Sequence, residues 1–201
     1  MTEVSGNPLV SVLIPCHNAE RWIGATLESV YRQTWTNLEV VVVDDGSDDA
    51  SGSVAKRFES KGLIFIQQPN AGAASARNRA FERSRGEYVQ FLDADDLLEP
   101  EKIEIQLKRL VGDPGSVGTS EWARFDGNPA EALFSADATW RDMSPVDWLA
   151  ASWGEGGGMM FPALWLVPRD VAIRAGPWNE RLSLNDDGEY YSRVVLASRQ
   201  V

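Results

Sequence analysis

The stretch QFLDADDLLEP, residues 90–100, runs an apolar segment straight into Asp93, Asp95 and Asp96. Carboxylates this close repel one another and need a counter-charge or open water. Hard oxygen donors in such a turn suit a divalent cation. Mg2+ takes one or two carboxylates, keeps several waters and is completed by substrate phosphates; Mn2+ accepts the same ligands. The plain alternative for an isolated D-x-D is a solvated turn of capping aspartates. A second acidic pair, Asp44 and Asp45, closes the run VVVVDD before Gly46. A buried carboxylate there can accept from the N–H of a base or from a ribose hydroxyl, while its neighbour caps the turn. In PNAGAASARNRA, small residues let the backbone approach a ligand closely. Arg77 in that segment can pair with the acidic cluster or meet a phosphate. The lysine and full glycine pattern of a P-loop are missing. His17, the single histidine, either packs or lays a flat ring beside a base. In NDDGEY, Asp186 or Asp187 is a candidate general base if the fold brings it to the site, and otherwise a helix-start cap.

The elements that must position these groups alternate through the first half. Apolar, β-branched runs at Leu9–Pro15, 38–45, 63–68 and 87–93 read as buried strands. Helical segments follow at 21–33 (Trp22, Ile23, Leu27 and Val30 at helical spacing), 50–60, 70–84 and 99–111 (with Pro100 near its start). Successive β-then-α units imply an α/β fold with a mainly parallel sheet covered on both faces. Such sheets bind ligands beyond the C-terminal ends of their strands. PCHN, DDGSDD, QPNAG and DADD all fall there. The second half is less regular. It offers a fifth strand at 117–125, an excursion at 126–144 and a short helix at 144–153 capped by Ser144. A strand at Ala163–Val167 follows, then a polar loop running into a helix that reads as still in progress at the chain end. That ending points to a C-terminal truncation. The whole reads as a single domain, 1–201, with a nucleotide-binding half at 9–111 and an acceptor-binding half at 112–201.

Bulk composition narrows the partners. A net charge of −11 over 201 residues argues against nucleic acid or an anionic membrane surface as the main partner, and suits a cation carried into the site. One cysteine and one histidine exclude an internal disulfide and a zinc site of the usual kind. The single cysteine points to a reducing cytosol. No apolar run approaches the ~20 residues of a membrane span. No GxSxG elbow supports a serine nucleophile.

Taken in order, VSVLIPCHN, VVVVDDGSDD, NAGAASARN, FLDADD and NDDGEY resemble family 2 glycosyltransferases of the GT-A fold. The likeness is strong through residue 111 and looser from 112 to 180. It implies a Rossmann-like sheet and inverting transfer from a nucleotide-diphosphate sugar, a UDP-sugar in the usual case, to a saccharide or other acceptor hydroxyl. By the same resemblance Pro15, His17 and Asn18 border the base and Asp45 contacts it. Asp93 lies near the ribose, Asp95 holds Mn2+ or Mg2+ with Asp96 replacing or supporting it, and Asp187 is the catalytic base. Arg77 matches an arginine near the diphosphate. The spelling Asn185–Asp186 departs from the family's usual acidic pair. Peripheral membrane association and homo-oligomerisation are further expectations.

Acceptor choice would fall to the irregular half. Flat apolar faces suit sugar rings, so Trp153, Met159, Met160, Trp165 and Trp178 are candidates against ordinary core packing, with Trp178 and Glu180 preferred. Two competing functions remain. A sugar nucleotidyltransferase would carry a glycine- and lysine-rich N-terminal loop where this chain reads PCHNAERW. A non-catalytic nucleotide-sugar-binding module would have no need of Asp187.

Overall fold

A computed structural model describes residues 6–113, 115–154 and 160–201. Strands β1 (Val10–Cys16), β2 (Leu38–Asp45), β3 (Ile64–Gln68) and β4 (Tyr88–Phe91) are separated by helices α1 (Ile23–Tyr31), α2 (Ser51–Lys56) and α3 (Ala73–Arg83). Then come α4 (Lys102–Leu110), α5 (Pro145–Gly154), β5 (Val167–Pro168), α6 (Arg169–Ala175) and α7 (Asp186–Ala197). The sheet order is β3-β2-β1-β4-β5. β1 pairs in parallel with both β2 and β4, β2 with β3 in parallel, and β5 closes the edge antiparallel to β4.

Period-2 alternation explains why the central strands are apolar throughout. Val12, Ile14, Val40 and Val42 face one layer with Ile23, Leu27, Ile103 and Leu107 of α1 and α4. Leu13, Val41, Val43, Val89 and Phe91 face the other, with Ala76 and Ala80 of α3, Trp148 of α5, Val171 of α6 and Tyr190 and Val194 of α7. Both faces of the sheet are therefore covered, as parallel strands require. The chain runs outward from β1 through β2 to β3, then returns to β4 on the opposite side of β1. That reversal opens a crevice at the carboxyl ends of β1 and β4.

The second half departs from the sequence reading in three places. The strand expected at 117–125 is reduced to one bridge, Gly118 with Leu166, just before β5. The strand expected at Ala163–Val167 opens instead as a 3-10 turn over Pro162–Leu164, and pairing is confined to Val167–Pro168. Proline fixes φ at the start of the turn and withholds an N–H at the strand's end. Helix α6 was not expected, although Pro168 before it and Gly176 after it, at φ 83°, are the ordinary start and stop signals. The final helix also ends sooner than its sequence reads. Ser198 leaves it in extended conformation, and the tail bonds elsewhere, Val201 exchanging hydrogen bonds with Met143 at 2.8 and 3.0 Å. Ser144 does cap α5, accepting from Asp147 N–H at 3.2 Å. The glycine-rich 155–158 lies outside the described residues.

A polar network crosses one core layer. The Lys102 ammonium donates to Gln90 Oε1 at 2.6 Å and to Gln106 Oε1 at 2.8 Å. Gln90 in turn donates to the Pro162 carbonyl at 3.0 Å, and Gln106 to that of Leu164 at 2.8 Å. The network ties β4 and α4 to the turn preceding β5. Burial pushes the Lys102 ammonium down to about 7 from 10.5. Between those values the unfolded chain holds a proton that the folded one has released, so stability rises with pH across the window. Urea unfolding should therefore show the stability of the wild type relative to Lys102→Met increasing as pH climbs from 7 to 10. A difference that stays flat would contradict a depressed ammonium.

Candidate functional site

At the end of β2 the two aspartates divide their work. Asp44 accepts from Ser47 N–H at 3.0 Å and from Gln67 Nε2 at 3.0 Å, closing the turn. Asp45 is 2% exposed and accepts from Gln68 Nε2 (2.7 Å), Ala71 N–H (2.9 Å) and Gly72 N–H (2.8 Å). Its carboxylate thus holds the 68–72 loop in place and keeps little accepting capacity for a ligand. Gly46 makes the approach of that loop possible. Its φ is +71°, and a Cβ built on it would lie 2.7 Å from Asn70 N. At the end of β1, His17 Nδ1 lies 2.9 Å from the Asp45 carbonyl oxygen, which makes that nitrogen the protonated donor. The Asn70 amide lies 3.2 and 3.3 Å from the two ring nitrogens. Asn18, at φ 48°, accepts from Asp48 N–H and donates its own N–H to Ser47 Oγ, both at 3.0 Å.

The acidic turn after β4 and the residues that follow it are held by α1 and the segment just after it. Thr26 Oγ1 donates to the Ala94 carbonyl at 2.8 Å, Ser29 Oγ accepts from Leu98 N–H at 3.2 Å, and Gln33 Nε2 donates to the Glu99 carbonyl at 2.7 Å. Asp93 is met by Arg77, whose guanidinium donates to Asp93 Oδ1 at 2.8 Å and to Asp186 Oδ2 at 2.9 Å. Asp187 Oδ1 lies 3.5 Å from the same guanidinium and is a buried oxygen without a hydrogen bond. Burial, with the neighbouring charges of Asp93 and Asp186 adding to it against Arg77, pushes the Asp187 carboxyl up to about 7. Asp96 is pushed up to about 7 by burial and by Asp93, Asp95 and Asp187. Asp95 is exposed.

A cleft of about 410 Å³ lies between these two edges. Its lining includes Pro15, His17, Asn18, Asp45, Arg77, Asp93 and Asp95. Asp96 and Asp187 do not line it, though both lie close enough to Asp93 for its charge to act on them. Trp22 and Asn70 also line the cleft and were not singled out from the sequence. Trp22 was read as part of the α1 apolar stripe. It falls one residue before the buried series Ile23, Thr26, Leu27, Val30 and is 45% exposed. Asn70 was legible only as part of a loop of small residues.

Among the described residues no group of three His, Cys, Asp or Glu side chains is arranged as a metal cage. The donor chemistry nevertheless fits a hard divalent ion of the kind completed by substrate phosphates. Asp95 is open to the cleft, and Asp96 beside it is crowded by like charges that a cation would relieve. Cys16 is buried, and its thiol is pushed up to about 12, which leaves it inert as a nucleophile.

The tryptophans expected on the acceptor side are mostly interior. Trp165 is fully buried and stacked on Tyr191, with ring centroids 4.9 Å apart. Trp178 is 2% exposed and stacked on Tyr190 at 4.0 Å, so neither ring offers a face to a sugar. Met160 is buried, Trp153 is exposed on α5, and Met159 lies outside the described residues. Glu180 accepts from Asn78 Nδ2 at 2.8 Å.

The family model for glycosyl transferase family 2 matches residues 11–172, and the chain belongs to that family. Its architecture is the GT-A fold. The chain superimposes with a TM-score of 0.80 on S. aureus TarS 1-349 in complex with UDP-GlcNAc, at 21% identity over 94% of this chain and 54% of that one. It also superimposes, with a TM-score of 0.71, on the mannosyltransferase PcManGT from Pyrobaculum calidifontis in complex with GDP-Man and Mn2+. That match has 23% identity over 98% of this chain and 55% of that one. Glycosyltransferase GlyA of Streptococcus pneumoniae serotype 4 is 35% identical over 127 residues, 62% of this chain and 18% of the relative's length. The chain therefore spans a minor part of that curated relative.

The three bonds accepted by Asp45 include two from backbone N–H groups to a buried carboxylate, each worth about 1.5–3 kcal/mol. Asp45→Ala should lower unfolding stability by about 3 kcal/mol through the released 68–72 loop. Denaturant titration would check the effect. Unchanged stability would contradict the anchoring role.

Proposed function

We propose that this cleft binds a nucleoside-diphosphate sugar and that the protein transfers the sugar, with inversion, to an acceptor hydroxyl, Asp187 acting as general base. The observation that carries this reading is the convergence of Asp45, Asp93 and Asp95 on one cleft, with Asp187 3.5 Å from the guanidinium that Asp93 also binds.

Pro15, His17 and Asn18 border the nucleobase at the end of β1. Asp45 shapes its seat by holding the 68–72 loop and has one carboxylate oxygen, Oδ2, engaged by only one described donor. Asp93 lies toward the ribose. Asp95, with Asp96 in support, would hold Mn2+ or Mg2+, which as a Lewis acid stabilises charge growing on the leaving diphosphate. Asp187 takes the acceptor's proton from the face of the sugar opposite the leaving group, so one displacement inverts the anomeric centre. A carboxyl poised near 7 is well matched to accepting and releasing a proton near neutrality. No covalent enzyme intermediate is required, in keeping with the inert Cys16.

UDP is the preferred nucleotide, and a saccharide hydroxyl the preferred acceptor. The TarS complex with UDP-GlcNAc and the PcManGT complex with GDP-Man and Mn2+ support the donor class. Among the described residues no helix is long and apolar enough to cross a membrane. A cytosolic setting, where nucleotide sugars are available, suits the single buried thiol.

Incubating the protein with Mn2+ and a panel of UDP- and GDP-sugars, with and without saccharide acceptors, should release the nucleoside diphosphate. Binding without release would favour a non-catalytic module. Asp187→Asn should bind UDP within about twofold of the wild type and lose roughly 10²- to 10⁴-fold in transfer. Equal loss of binding and transfer would remove Asp187 from the role of base.

A further inference from the structure

We infer that Arg77 is a positioning residue for Asp187: its buried guanidinium, shared by Asp93, Asp186 and Asp187 against the Trp178 ring, sets the place of the base instead of binding the donor's phosphates. This inference rests on the function proposed above.

The side chain of Arg77 is 5% exposed, yet the guanidinium is ringed by acids from distant parts of the chain. It donates to Asp93 at 2.8 Å, on the turn after β4, and to Asp186 at 2.9 Å, the first residue of α7. Its Cζ lies 4.3 Å from the centroid of the Trp178 ring, which is itself stacked on Tyr190 of α7. The next residue on α3 adds to the same hold. Asn78 accepts from Trp178 N–H at 2.8 Å and donates to the Trp178 carbonyl at 3.0 Å. One short segment of α3 therefore fixes the approach to α7 and its first turn.

Asp187 depends on this hold because it makes no hydrogen bond of its own through Oδ1. Its nearest charged partner is Arg77 at 3.5 Å. What places it is the turn on which it sits, and that turn is anchored through Asp186. The charge balance points the same way. A single guanidinium already faces three carboxylates. A diphosphate would compete with all of them for a charge that is in use. The planar fork suits this task, whereas an ammonium is a point charge that can satisfy fewer partners at once.

The test uses the intact chain, Mn2+, calorimetry with UDP, and UDP release from a panel of UDP-sugars. Arg77→Lys should lower kcat for UDP release about 10- to 100-fold while the UDP dissociation constant moves less than threefold. Asp186→Asn, which takes the charge from one anchor and leaves the guanidinium paired with Asp93, should lower kcat about tenfold, again with UDP affinity retained. It decides the matter should Arg77→Lys fail to fold. A tenfold or greater loss of UDP affinity in Arg77→Lys with kcat preserved would make Arg77 a phosphate ligand and overturn the inference. An unchanged kcat in Asp186→Asn would overturn it also. A wild type that releases UDP from none of the donors overturns the proposed function and this inference with it, whereas failure of the variants alone leaves the proposed function standing.

Discussion

A buried guanidinium shared among carboxylates is the interaction on which the site depends. Asp93, Asp186 and Asp187 come from segments far apart in the chain, and like charges would drive them apart without a cation between them. Arg77 supplies that cation from α3, at the face of the cleft. Its compensation is incomplete. Asp187 and Asp96 both remain raised to about 7, chiefly by burial with the neighbouring carboxylates adding to it, so each holds a proton more readily than a free carboxyl does.

Asp45 performs the matching task on the other edge. Its carboxylate is largely consumed by the 68–72 loop, so its contribution to a ligand is chiefly the shape of the wall. Both acids illustrate a general point about strand ends. A side chain at the carboxyl end of a buried parallel strand leaves the dry core just where loop backbone needs hydrogen-bond partners. It is drawn into structural work before any ligand arrives. At the mouth of the cleft Asp95 and Trp22 stay exposed, while the His17 ring is bonded to the Asp45 carbonyl and the Asn70 amide lies against that ring.

Much of the first half was legible from sequence because its signals are local. Four apolar runs followed by amphipathic helices specify a parallel sheet, and a parallel sheet places its ligands at the strand ends. Pro15, His17, Asn18, Asp45, Arg77, Asp93 and Asp95, which the family resemblance assigned to one site, line one cleft, whereas Asp96 and Asp187 do not. The second half was less legible because its elements are short and defined by partners. β5 is a two-residue strand that exists only because β4 is beside it. Trp165 and Trp178 looked like sugar platforms, yet burial between the sheet and α7 turns them into core. Periodicity in so short a stretch cannot distinguish an interior ring from an exposed one.

By itself, the sequence determined the family, the parallel α/β plan and the identity of the acids available for chemistry, because each is written in contiguous motifs. Only the tertiary structure decided how those acids divide their roles. Which carboxylate closes a turn, which anchors a loop, and which is left without a hydrogen bond depend on contacts between residues as far apart as Arg77 and Asp186. Charge pairing of that kind is set by three-dimensional distance and burial, and neither is encoded in the spacing of residues along the chain.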